Sequence, residues 1–155
     1  MKRLKWYLAG LLLIAALSRS PFAGTDVAKL QPVELIRVTK LGENVLVETD
    51  TGDTGFGSGL KQAFEDLKQT TAGEVFLETA EHVLLSGQAR ELLEELAELL
   101  RPGCSVCIQQ GEAELEAAAE FLDVHKPEFT LRAHRAGEGE MPVLLARKER
   151  MYLVE

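Results

Sequence analysis

The chain has 155 residues, 46% of them hydrophobic and 27% charged, with 25 acids against 17 bases for a formal charge of -8, and two cysteines. This length fits one domain able to bury a core without staples, which excludes a disordered chain and a disulfide-dense scaffold. A pI near 5.0 with scattered Lys and Arg leaves no basic patch to neutralise phosphates, and nucleic acid is excluded as a partner.

Residues 1–24 divide into a basic head (Lys2, Arg3, Lys5), an apolar run from Trp6 to Leu17 and a tail of small residues ending at Gly24. That order is the pattern of a secretory signal. As a helix the 12-residue run spans about 18 Å at 1.5 Å per residue, short of the hydrocarbon core of about 30 Å. Residues 1–24 are therefore expected to act as a signal peptide or a signal anchor, with residues 6–17 as the membrane contact. The basic head on the cytoplasmic side puts the rest outside, so the expected location is extracytoplasmic, either anchored or secreted. Three of the 17 bases lie in residues 1–18, leaving 14 against 25 acids, a charge of -11 for the exported part. Such a domain is repelled by anionic lipid and polymer, so a protein partner at the membrane or envelope is expected instead.

Residues 25–155 read as a single mixed α/β domain. Val33 to Val38 and Val45 to Thr49, joined by Lys40-Leu41-Gly42-Glu43-Asn44, predict a hairpin. Glycines follow at 52, 55, 57 and 59. Leu60, Ala63, Phe64 and Leu67 then predict an amphipathic helix over about 58–70, with Ser58 as its N-cap. Short strands are expected at 74–78 and 82–86. A second helix is expected over 88–101, with Ala89, Leu92, Leu93, Leu96, Ala97, Leu99 and Leu100 on its apolar face and Pro102-Gly103 ending it. Cys104 to Gln109 reads as a buried strand and residues 112–124 as a third helix. Residues 142–147 and 151–154 form a closing hairpin around a turn at 148–150. The order predicts one mixed sheet with about three helices packed on it, opened and closed by hairpins.

Three constellations invite a chemical reading. Asp50-Thr51-Gly52-Asp53-Thr54-Gly55 repeats the triplet of aspartic proteases, but those enzymes bring two carboxylates together from separate lobes, and a Gly- and Asp-rich turn accounts for these residues. Gly55, Gly57, Ser58 and Gly59 ahead of a helix form a candidate anion or turn site, a place for a small ligand, without the spacing of a phosphate loop or dinucleotide fingerprint. Cys104-Ser105-Val106-Cys107 has the spacing of a redox pair or a local disulfide. On a strand, however, residues i and i+3 point to opposite faces, so packed thiols are the favoured reading, with a local disulfide and a redox pair as alternatives. The three histidines have no ligand spacing to one another, so neither a metal nor a cofactor is expected. Glu91, Glu94, Glu95 and Glu98 line the polar side of the second helix, a solvated face that also serves as a candidate interaction face.

Residues 57–111 read together carry a resemblance. Gly57-x-Gly59-Leu60-x-x-Ala63-x-x-x-Leu67, Val75-Phe76-Leu77, Val83-Leu84-Leu85-Ser86-Gly87 and a Leu-rich helix closing on Leu100-Arg101 resemble the N-terminal domain of Ger(x)C-type proteins, the C-subunit lipoproteins of spore germinant receptors. Met141-Pro142-Val143 and the closing hairpin resemble that domain's end. The matching positions are packing positions, and no site residue is carried over. The family's lipobox cysteine has no counterpart in Ser18-Arg19-Ser20. The resemblance implies a non-enzymatic, exported or membrane-tethered interaction domain in a spore germination or envelope assembly. The alternative is an exported thiol-disulfide protein using Cys104 and Cys107.

Overall fold

The computed structural model describes residues 30–147 and 150–154. The export segment expected over 1–24 and residues 148 and 149 of the expected closing turn lie outside them. A seven-stranded sheet runs in the order β4-β3-β2-β6-β7-β8-β9. Its strands are β2 (Leu35–Leu41), β3 (Asn44–Thr49), β4 (Thr54–Gly57), β6 (His82–Leu85), β7 (Ser105–Gln110), β8 (Val143–Arg147) and β9 (Arg150–Val154). The central strands β2, β6, β7 and β8 are parallel, and antiparallel partners close both ends. A separate pair joins β1 (Leu30–Pro32) in parallel to β5 (Glu74–Phe76). The mixed α/β sheet framed by hairpins is thus the architecture that the strand and helix pattern predicts.

Among the described residues four α-helices pack on the sheet: α1 (Leu60–Thr70), α2 (Leu93–Leu99), α3 (Leu115–Val124) and α4 (Leu131–Ala136). Strand alternation divides the core in two. Ile36, Val38, Val47, Val83, Leu85 and Val106 face α1, α2 and α4, joined by Leu60, Phe64, Leu67, Leu96 and Leu131. Leu35, Leu84, Cys107 and Leu144 point the other way, against Ala118, Ala119 and Leu122 of α3. The parallel strands β2 and β6 are buried on both faces and carry runs such as Val83-Leu84-Leu85, as doubly covered strands do.

The structure differs from the expected elements at several places. The strand expected over 74–78 ends at Phe76, with Leu77–Thr79 winding as a 3-10 turn, and it pairs with β1 outside the seven-stranded sheet. Residues 88–101 are not one helix: Gly87–Leu92 wind as a 3-10 segment that brings Ala89 and Leu93 into the core, and α2 follows. The third helix starts at Leu115 instead of 112. Gly111 takes φ +88 as the chain leaves β7, and Ala113 stays outside the helix, its carbonyl accepting a hydrogen bond from Arg37 Nη1. Helix α4 was not expected. Its signals are Thr130, whose hydroxyl accepts from Ala133 N at 3.2 Å, and Gly137, which ends it at φ +69. Strand β4 lies where a glycine turn alone was expected.

Cover is uneven. Tyr152 and Val154 of β9 are 48% and 46% exposed, and Val143 and Leu145 beside them are half-buried. These four stand opposite Leu144, on the face that α1, α2 and α4 cover elsewhere.

Candidate functional site

The Gly-Asp stretch folds as the turn its composition suggests. Gly52 takes φ +88, and Asp50 accepts hydrogen bonds from Glu34 N and Leu35 N at 3.2–3.3 Å, holding the entry to β2. Thr51 Oγ1 donates to Asp53 Oδ2 at 2.9 Å, closing the turn between β3 and β4.

Of the glycines read as a candidate anion or turn site, Gly55 and Gly57 are packing residues. A Cβ on Gly55 would lie 2.1 Å from Ala63 O and 2.6 Å from Leu67 N, and one on Gly57 would lie 2.6 Å from Ala63 N. Both glycines therefore let β4 lie directly on α1. Ser58 is not the N-cap. Gly59 occupies that position, and Ser58 donates its N–H and its hydroxyl to Gln62 Oε1 at 3.1 and 2.7 Å. Phe56 N is taken by Asp66 Oδ2 at 2.9 Å, so the chain's own carboxylate fills the nearest anion-accepting position.

Cys104 and Cys107 are free and buried. Cys104 belongs to the core beneath α1, α2 and α4, Cys107 to the core beneath α3. Burial pushes both thiols up to about 12. Reactive thiols need the opposite, a stabilised thiolate within reach of its partner.

The four glutamates do not share one helical stripe, because Glu91 lies in the 3-10 segment and Glu94, Glu95 and Glu98 on α2. Glu91 pairs with Lys40, Glu94 Oε1 contacts His134 Nε2 at 3.1 Å, and Glu95 is half-buried. Only part of this face is open to a partner.

A polar cluster that the sequence reading missed sits at the N-terminal ends of β6 and β7. In the parallel register His82 pairs with Ser105, and both side chains face α3. His82 is 3% exposed, and its Nδ1 lies 2.7 Å from Ser105 Oγ, while Nε2 is buried without a hydrogen-bond partner among the described residues. Helix α3 runs back along the sheet and delivers Asp123 to the same end. One ligand atom each of Glu81, His82 and Asp123 fall within 4.8 Å of one another. Lys126 Nζ lies 3.6 Å from Glu81 Oε2 and 3.5 Å from Asp123 Oδ1, and Arg101 Nη2 lies 3.3 Å from Glu81 Oε1. The Arg101 hydrogen bond, helped by the Lys126 charge, holds the Glu81 carboxyl below its ordinary range. Burial pushes His82 down, favouring the neutral ring. The adjacent Glu81 and His82 were visible as a pair, but Asp123 comes from an element 41 residues away, and no local spacing announces it.

Among the described residues no helix is long and apolar enough to cross a membrane. Comparison of the chain with protein-family models, with curated proteins and with solved structures finds no match.

Proposed function

We propose that this chain is a non-enzymatic interaction domain, exported or membrane-tethered, that works by adding a strand of a protein partner to the β9 edge of its sheet. The observation that carries the reading is the end of the sheet at β9. Among the described residues no strand pairs with its outer side, and Tyr152 and Val154 stand exposed beside it with Val143 and Leu145 half-buried. An edge strand offers a row of unpaired backbone N–H and C=O groups, and an apolar strip along it gives an added strand side-chain contacts. The basic head and apolar run of residues 1–17 support the extracytoplasmic location. The Ger(x)C-like packing pattern supports a spore germination or envelope assembly as the setting.

The thiol-disulfide alternative draws no support from two buried thiols on opposite faces. Nucleophilic chemistry at Ser105 draws little, because that side chain is 5% exposed beneath α3.

Photo-crosslinking from position 152 in the native cell tests the proposal, with the exposed Glu65 on α1 as the control position. A discrete adduct from 152, absent from 65 and abolished by Val154→Lys, is expected. Equal labelling from both positions, or no adduct from 152, would sink the edge-strand reading. Fusion of residues 1–24 to a reporter active only outside the cytoplasm tests export separately.

A further inference from the structure

We propose that Glu81, His82 and Asp123 form a binding site for one divalent transition cation of the Zn²⁺ type, at the N-terminal ends of β6 and β7. The ligand set is one neutral imidazole nitrogen and two carboxylates, a combination that suits borderline cations.

The argument starts from His82. A buried ring nitrogen without a hydrogen bond is costly unless something else meets it. Nε2 is such an atom in a residue only 3% exposed. Its other nitrogen, Nδ1, is held 2.7 Å from the Ser105 hydroxyl. That is the arrangement of a metal-binding histidine, in which a fixed neighbour takes one ring N–H and turns the other nitrogen's lone pair toward the ion. The ring is carried on a central strand and cannot swing away, so the rigid ligand is in place before binding.

The carboxylates are the adjustable part. The ligand atoms lie within 4.8 Å of one another, against the separation of about 3.4 Å that bonds of about 2.0–2.1 Å impose in a tetrahedral zinc sphere. Closing around an ion therefore takes shifts of at most about 1 Å. Glu81 and Asp123 are 44% and 65% exposed at the side chain and free to make them. Three protein ligands leave the fourth position to water.

A cation already marks the position. The Lys126 ammonium lies 3.5–3.6 Å from an oxygen of each carboxylate, and its side chain is 62% exposed. It does so without a hydrogen bond to His82 Nε2, which has no such partner among the described residues. A divalent ion satisfies both carboxylates and the imidazole together, with Lys126 swinging into solvent. Lys126 is therefore a competitor of the metal, and its removal strengthens binding.

The test is equilibrium dialysis of the full chain against Zn²⁺ in a non-chelating buffer, with Glu81→Gln, Asp123→Asn, Lys126→Gln and, as a control for the other histidines, His134→Gln. One equivalent bound, weakened at least tenfold by Glu81→Gln and by Asp123→Asn, tightened by Lys126→Gln and unchanged by His134→Gln, is the expected result. Because both weakening substitutions fall on exposed carboxylates, the fold survives them where His82→Ala could lose it. In the wild-type chain, Zn²⁺ should also shift the ¹⁵N resonance of His82 Nε2 more than that of Nδ1. Absence of saturable binding, or binding that Glu81→Gln and Asp123→Asn leave unchanged, overturns the site. Loss of affinity in Lys126→Gln overturns the competition.

Discussion

Cys104 and Cys107 are three residues apart in the chain, yet they lie on opposite faces of one sheet, Cys104 under α1, α2 and α4 and Cys107 under α3. The period of two along a strand separates them, and no rotamer change brings the sulfurs together without unfolding β7.

That relationship predicts thiol protection. In the native protein both cysteines should resist alkylation at neutral pH, and added denaturant should release two thiols together. Rapid labelling of either one below pH 7 without denaturant would contradict their burial.

The same burial predicts alkaline sensitivity. Each thiol rises from an ordinary 9.0 to about 12 in the folded chain. Between those values the unfolded chain has given up protons that the folded chain keeps, so stability is intact below pH 9 and is lost as pH climbs toward 12. Each thiol contributes a slope of at most about 1.4 kcal/mol per pH unit. Urea melts across pH 8–11 should show a flatter decline for Cys104→Ala and Cys107→Ala than for the wild type; parallel curves would refute the effect.

Gly55→Ala and Gly57→Ala should destabilise the fold by about 1–3 kcal/mol, the usual range for overpacking, because each new Cβ meets the backbone of α1. Gly59→Ala is the informative contrast. Its Cβ would meet nothing within 4 Å, so the change should cost only the fraction of a kcal/mol expected at an N-cap. Comparable losses at all three positions in a denaturation series would argue against the close approach of β4 and α1.

Asp50→Ala should cost about 1–2 kcal/mol, since the carboxylate accepts from both Glu34 N and Leu35 N at the start of β2. Asp50→Asn retains an acceptor oxygen and should cost less. Amide exchange at Leu35 provides a direct check: it should quicken in the alanine variant and change little in the asparagine one.

Much of the fold was legible because its signals are local. Leu60, Ala63, Phe64 and Leu67 announce α1 by their spacing, and all four are buried. Helix α4 was also written in the chain, by Thr130 and Gly137, but six residues are too few for hydrophobic periodicity to stand out. Strand β4 was hidden because Gly55 and Gly57, read alone, signal a turn. Only contact with α1 shows why a strand there requires them.

By itself the sequence determined the acidic charge, the mixed α/β order and the opposition of Cys104 to Cys107, since composition and periods of 2 and 3.6 residues are properties of the chain alone. Only the tertiary structure decided which polar groups meet. His82, Ser105, Glu81 and Asp123 gather because parallel pairing aligns the starts of β6 and β7 and because α3 runs back to that end. A juxtaposition of that kind depends on how elements far apart in the chain pack against one another, and no spacing along the chain encodes it.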